Sequence, residues 1–299
     1  MLIGILNFER PKMITPAIRR LREACVQRGH EAILLQETQI QIFLRPGKKT
    51  EILLKGERFP ACDLILSRPN FYEDPLFHLT TLFALEEAGF PVLNSAEATL
   101  RAKAKPYQKL WLARASVPMP ASAIVWTDDG WRETEEIPFP VVVKAPMGTR
   151  GVGVFYAENR ATLAPILDYL RVREEKPAIV EPCLKEACGK GVRALVVGGH
   201  LVASVELEGG DNDIRDNRKG TIKPTVLTSL EEKIAIQATT ALGLDIAGID
   251  LVRMKDGPLV LEVNPNPGLV EMEKATGVDV CGKIVELEES YTKRLVKMY

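Results

Sequence analysis

The sequence predicts an α/β protein, of the α+β kind overall, with an open parallel sheet at its N-terminus and strand-rich domains after it. Three observations predict this. Apolar strand patterns alternate with helix patterns over the first hundred residues, and strands dominate beyond residue 116. The composition, 46% apolar and 26% charged over 299 residues, is that of a folded globular chain. At about 150 residues per domain the length predicts two or three domains and rules out a peptide or a disulfide-held miniprotein. A net charge of −1 leaves no electrostatic footprint for general nucleic-acid binding.

Residues 2–7 are apolar but lack the basic flank and cleavage site of a signal peptide, so they read as a buried first strand. Thr15 is a good N-cap and Pro16 suits a first helical turn. Ile14, Ile18, Leu21 and Cys25 then recur at helical spacing, and Gly29 ends the helix. Arg19, Arg20 and Arg22 point around that helix and read as solvated surface. Extended segments follow at residues 32–36, 40–44, 52–54 and 62–68, then a helix at 76–88 and a short strand at 91–94.

Residues 95–116 are helical with a break at Pro106, and a new domain begins near residue 97. Strands are expected at 123–126, 140–144, 153–157 and 178–181, with a helix at 160–171. A third domain starts near 182, which divides the chain into 1–96, 97–181 and 182–299. Residues 192–197 and 201–206 read as a hairpin around Gly198 and Gly199. Residues 209–223 are rich in Gly, Asp, Asn and Arg without periodicity, and so long a loop in a compact domain is usually functional. Ser229 and Glu232 have capping-box spacing, Gly243 closes that helix, strands follow at 245–254 and 258–264, and a last helix starts near Asp279.

Five cysteines, at 25, 62, 183, 188 and 281, form no Cys-x-x-Cys pair and predict reduced thiols in a cytoplasmic protein. Cys183 and Cys188 read as packed side chains rather than a metal site. No run approaches the ~20 apolar residues that span a bilayer, so a soluble protein without a membrane partner is expected.

Two constellations carry chemistry. In residues 247–264 two apolar strands flank Lys255-Asp256-Gly257, and Glu262 and Asn264, two apart, share a face. A two-residue turn would put Asp250 opposite the wrong face, whereas a three-residue loop with Gly257 left-handed pairs Asp250 with Glu262. Carboxylates set directly across a sheet repel, so the pair needs a cation, and oxygen ligands from Asp250, Glu262 and Asn264 suit Mg²⁺ carrying a nucleotide. The second constellation is an apolar strand ending in Lys144, followed by a glycine loop with Gly148, Gly151 and Gly153. No helix follows, so it is neither a dinucleotide fingerprint nor a Walker loop. It could fold over phosphates as a flap, with Lys144 as a point charge.

These segments, with Lys185-Glu186-Ala187, residues 192–198, Pro267-Gly268-Leu269 and residues 273–279, resemble the RimK-like glutamate ligases of the ATP-grasp superfamily. The resemblance implies an ATP-grasp fold with an N-terminal Rossmann-like pre-ATP-grasp domain, and ATP held between the central and C-terminal domains. It implies transfer of the γ-phosphate of ATP to a carboxylate, followed by attack of an amine on the acyl phosphate. Asp250, Glu262 and Asn264 match the magnesium ligands, with Mn²⁺ an alternative metal, and Lys105 and Lys144 match the phosphate lysines. Glu181, Pro182, Cys183 and Leu184 match the hinge whose backbone reads adenine. Arg193 and Arg215 match phosphate-side arginines, and Asn217 completes the nucleotide loop; these three are the candidate catalytic residues. The implied partners are small-molecule or peptide carboxylates and amines, and a homo-oligomer is open. An ATP-grasp kinase and a nucleotide-binding regulator are the alternative functions.

The departures concern substrate. Lys103-Ala104-Lys105 stands where the family commonly has Arg-Asp-Lys, and Gly191 stands where an acid often binds ribose. Asn217-Arg218-Lys219-Gly220-Thr221 replaces an Asn-x-x-Arg-Gly-Gly run, and Glu206-Leu207-Glu208 replaces Glu-Arg-Arg. With Asp211 and Asp213 nearby, this acidic run reads as a solvated loop or as a border of the acceptor site, and in the second case a cationic or neutral substrate is expected in preference to glutamate. His30, His78 and His200 fit no chemical role and read as structural.

Overall fold

The computed structural model describes residues 1–8, 14–69, 75–146, 153–187, 189–209 and 221–296. Strand β1 (Leu2–Asn7), helix α1 (Pro16–Gln27) and strand β2 (Glu31–Gln36) open the chain. Thr15 caps α1, its hydroxyl accepting the Ile18 N–H at 3.3 Å, and Pro16 occupies the first turn. A small antiparallel sheet of β3 (Ile40–Phe43), β4 (Glu51–Leu54) and the unforeseen β5 (Glu57–Arg58) comes before β6 (Leu64–Arg68), α2 (Pro75–Glu87) and β7 (Val92–Leu93). The main N-terminal sheet runs β2-β1-β6-β7, every pairing parallel. Both of its faces are covered, which is why its strands read as continuous apolar runs. Ile3 and Ile5 pack toward Leu21 and Cys25, and Leu6 and Ile65 toward Leu79 and Leu82.

Helices α3 (Ala96–Lys103) and α4 (Lys105–Arg114) follow. Their break falls at Ala104, two residues before Pro106, because a proline ring excludes the carbonyl four residues upstream and the chain must leave the first helix before reaching it. Strands β8 (Ala123–Val125), β9 (Val141–Lys144), β10 (Val154–Ala157) and β11 (Ala178–Pro182) form an antiparallel sheet of order β10-β9-β11-β8, with helix α5 (Arg160–Glu174) between β10 and β11 in the chain. Leu163, Leu167 and Leu170 of α5 cover Val141, Val143 and Val180.

The last unit comprises β12 (Lys190–Val197), β13 (His200–Glu208), β14 (Thr221–Pro224), α6 (Ser229–Leu242), β15 (Ile246–Met254), β16 (Gly257–Asn264), α7 (Leu269–Thr276) and α8 (Val280–Val296). Its antiparallel sheet runs β14-β13-β12-β15-β16. Ala194, Val196, Ile249 and Val263 face α6, while Leu195, Val197 and Val205 face α7 and α8. Helix α1 joins that second core, and Arg20 fixes it, Nε 3.0 Å from Glu273 and Nη2 2.6 Å from Asp279. Arg20 is therefore a strut between units and not the solvated side chain expected.

Three further expectations change. The cap of α6 is Thr228 with Glu231, one residue earlier than Ser229 with Glu232, since both pairs share the same spacing. The tail of the 209–223 loop is strand β14, and residues 210–220 lie outside the described ones. Helix α7 was not read from the sequence at all. Among the described residues no helix is long and apolar enough to cross a membrane.

Candidate active site

Met254 stands opposite Gly257, so the β15–β16 turn is a two-residue one, Lys255-Asp256, with Gly257 at φ +121°. That turn alone would pair Asp250 with Leu261. A β-bulge intervenes: Leu251 pairs with Val260 and Asp250 with Glu262, leaving Leu261 as the extra residue. The expected pairing is present, produced by the bulge instead of a three-residue loop. Two residues on, Gly248 pairs with Asn264, and a Cβ at Gly248 would lie 2.9 Å from the Pro267 Cβ.

Strand β12 sets Arg193 opposite Asp250, so Arg193, Asp250 and Glu262 form a row across three strands. Arg193 meets Asp250 through two bonds, Nε to Oδ1 at 2.7 Å and Nη2 to Oδ2 at 2.8 Å, and Asp250 holds the guanidinium above its ordinary range. Lys105 Nζ lies 2.9 Å from Glu262 Oε1. Burial pushes the Glu262 carboxyl up, but Lys105 and Lys144 outweigh it and hold it low.

Helix α4 runs along the outer edge of β16 and supplies what a further strand would. Lys105, Gln108 and Lys109, at i, i+3 and i+4, share one helix face. Gln108 donates from Nε2 to the Val263 carbonyl at 2.7 Å and accepts the Val263 N–H on Oε1 at 3.0 Å. Lys109 donates to the Leu261 carbonyl, at the bulge, at 3.3 Å. Lys109 Nζ is also 2.6 Å from Glu181 Oε1, and Lys144 Nζ is 2.5 Å from Glu181 Oε2. Burial would raise the Glu181 carboxyl; the two lysines reverse this and hold it at about 2. Burial lowers Lys109, and lowers Lys103, beside Glu262, to about 8.

The N-terminal sheet grips the turn that follows β16. Arg68, at the end of β6 and pushed down to about 10 by burial, donates from Nη2 to the Pro267 carbonyl at 2.9 Å. Asn94 donates to the carbonyls of Ile246 at 2.8 Å and Pro265 at 3.2 Å.

The structure thus brings together Lys105, Lys144, Glu181, Arg193, Asp250 and Glu262. Asn264 is exposed beside them, its Oδ1 accepting the Asn266 N–H at 2.9 Å. Pro182, Cys183 and Leu184 are half-buried at the end of β11, and the Cys183 N–H donates to the Pro140 carbonyl at 2.9 Å. Gly148, Gly151, Arg215 and Asn217 lie outside the described residues. Glu206 and Glu208 do not border this site. They lie on the sheet face opposite Arg193, 3.5 Å from Arg253 and 3.8 Å from Lys223 respectively, which removes the described basis for expecting a cationic substrate. His30 and His78 pair with Glu289 and Glu37 away from the row. Sequence reasoning missed Lys109 and the Glu181 side chain; the shared helix face of Lys105, Gln108 and Lys109 was the available signal.

Among the described residues no three His, Cys, Asp or Glu side chains cluster as a metal site. Two directly opposed carboxylates and the Asn264 amide are a hard-oxygen donor set and fit Mg²⁺, with each carboxylate meanwhile neutralised by a cation.

A family model described as a RimK-like ATP-grasp domain matches residues 101–287. The chain belongs to the RimK-like ATP-grasp family. Membership makes it an ATP-grasp ligase, an enzyme of amide-bond formation. The chain is 35% identical over 277 residues to the ribosomal protein bS6–L-glutamate ligase of Shigella boydii serotype 4, covering 91% of each. Its fold matches the ATP-grasp ligase PsnB complexed with a phosphomimetic variant of a minimal precursor, Mg and ADP, with TM-score 0.73, 19% identity and coverage of 97% and 98%. It also matches a RimK domain ATP-grasp protein from Sphaerobacter thermophilus, with TM-score 0.72, 24% identity and coverage of 96% and 99%.

Proposed function

We propose that this RimK-like ATP-grasp ligase joins an amino acid to a peptide, protein or small-molecule acceptor, and that the row from Arg193 to Lys105 is its phosphoryl-transfer site. The observation that carries this is the opposed pair Asp250 and Glu262, with Arg193, Lys105 and Lys144 gathered around it. Lys105, Lys144 and Arg193 would meet the ATP phosphates, and Asp250, Glu262 and Asn264 would hold Mg²⁺, or Mn²⁺ on the same oxygen set. Such a metal neutralises phosphate charge when bound. Arg215 and Asn217 belong to the same proposal through their family match, and Glu181 to Leu184 form its adenine hinge. The division at residues 1–96, 97–181 and 182–299 is part of it, supported by the separate sheets. A cytoplasmic location is too, supported by the free thiols of Cys25, Cys62, Cys183 and Cys281.

A carboxylate oxygen would attack the γ-phosphorus, releasing ADP, and an amine would then attack the acyl carbon, releasing phosphate and a proton. Cations and preorganised polar groups suffice for the first step without a nucleophilic side chain. Mass spectrometry of products from a panel of amino acids and peptides incubated with ATP and Mg²⁺ tests this. A new amide with stoichiometric ADP supports it, and ADP release with a phosphorylated product but no amide refutes it.

A further inference from the structure

Glu181 is buried with two lysines that differ in access. Its side chain is 3% exposed. Oε1 takes Lys109 at 2.6 Å and the Ser122 hydroxyl at 2.7 Å, and Oε2 takes Lys144 at 2.5 Å. Lys109 is 7% exposed and is also tied to the Leu261 carbonyl; Lys144, at the end of β9, is 20% exposed. Only Lys144 has a way out. If Lys144 were the sole partner, its departure toward a phosphate would strand a buried carboxylate without compensation, a state that removing one member of a buried pair makes strongly unfavourable. Lys109 and Ser122 contact Oε1 and not Oε2, so their bonds do not depend on Lys144.

We propose that Lys109 is a positioning residue for nucleotide binding: it keeps Glu181 neutralised, so that Lys144 can exchange the Glu181 carboxylate for a phosphate group. The proposal rests on Lys144 being a phosphate ligand. It predicts an unusual reciprocity: the need for Lys109 exists only while residue 181 carries a charge.

Calorimetric binding of ADP, with and without Mg²⁺, is measured for wild type, Lys109→Met, Lys109→Arg, Glu181→Gln and the Lys109→Met/Glu181→Gln double variant. Lys109→Met should weaken ADP about tenfold or more, and raise KM for ATP more than it lowers kcat. Lys109→Arg keeps the charge and should bind close to wild type. The double variant, with a neutral amide at 181, should recover affinity to within a few-fold of wild type. Wild-type affinity in Lys109→Met, or a double variant no better than that single one, overturns the proposal. Should Lys109→Met fail to fold, the Arg and double variants decide, and tenfold weakening in either overturns it. Lys144→Met separates the two levels: wild-type ADP affinity there refutes the phosphate role of Lys144, whereas weakened binding there with none in Lys109→Met refutes only the positioning role.

Discussion

Arg193 and Asp250 stand directly opposite each other on β12 and β15, and two hydrogen bonds of 2.7 and 2.8 Å join guanidinium to carboxylate. A planar fork on a carboxylate fixes both partners in angle as well as distance. Asp250 is therefore turned toward β12, while Glu262, its cross-strand neighbour on β16, is held by Lys105. The row runs cation, carboxylate, carboxylate, cation, and a metal–nucleotide complex would bring its own cation to the two carboxylates and its phosphates to Arg193 and Lys105.

Asp250→Asn and Glu262→Gln each remove one charge at nearly constant volume. Both should abolish ADP production while keeping the circular dichroism and cooperative melting of the wild type. Near-native turnover in both would place the metal elsewhere.

Lys144→Ala should cost roughly 10²–10³ in rate, the scale of losing one electrostatic donor at a reacting centre. Steady-state ADP release measures it, and an unchanged rate would remove Lys144 from the phosphates.

Gln108→Leu should destabilise the protein by about 2–6 kcal/mol, because the buried Val263 N–H and carbonyl would both lose their partner at about 1–3 kcal/mol each. Urea unfolding reads this directly. A loss under ~1 kcal/mol would mean that the edge of β16 finds water or another donor.

Stability should fall in acid through Glu181. Its carboxyl titrates at about 2 when folded, below its ordinary value, so its contribution is fully present above pH ~4.5 and is lost as pH falls toward 2. The urea unfolding free energy of Glu181→Gln should be less steeply pH-dependent than that of wild type between those limits. Parallel curves would contradict the lowered value.

Glu208→Arg should leave substrate preference unchanged, since Glu208 pairs with Lys223 on the sheet face away from Arg193. A shift toward acidic substrates on the amino-acid panel would show that this face reaches the acceptor.

Local signals in the sequence were sufficient where one residue type has one job. Thr15 with Pro16 marks the start of α1, and Gly243 marks the end of α6. The pairing of Asp250 with Glu262 was foreseen, but for a different cause: a bulge at Leu261 leaves no mark in an apolar alternation, whereas Gly257 suggested a longer turn. Lys109 escaped notice because a lysine in a short helix without a marked apolar face reads as solvated. Its burial comes from α4 docking on an edge strand over 150 residues away in sequence, and no local pattern records that. Arg20 was misjudged for the same reason, its partners being Glu273 and Asp279.

The most direct test of acyl-phosphate ligation follows an oxygen atom. A carboxylate substrate identified by the product panel is labelled with ¹⁸O in both oxygens and turned over with unlabelled ATP, Mg²⁺ and the amine. If the carboxylate attacks the γ-phosphorus and the amine then displaces phosphate, one ¹⁸O per turnover appears in inorganic phosphate and one remains in the amide. Unlabelled phosphate alongside amide formation would contradict the mechanism.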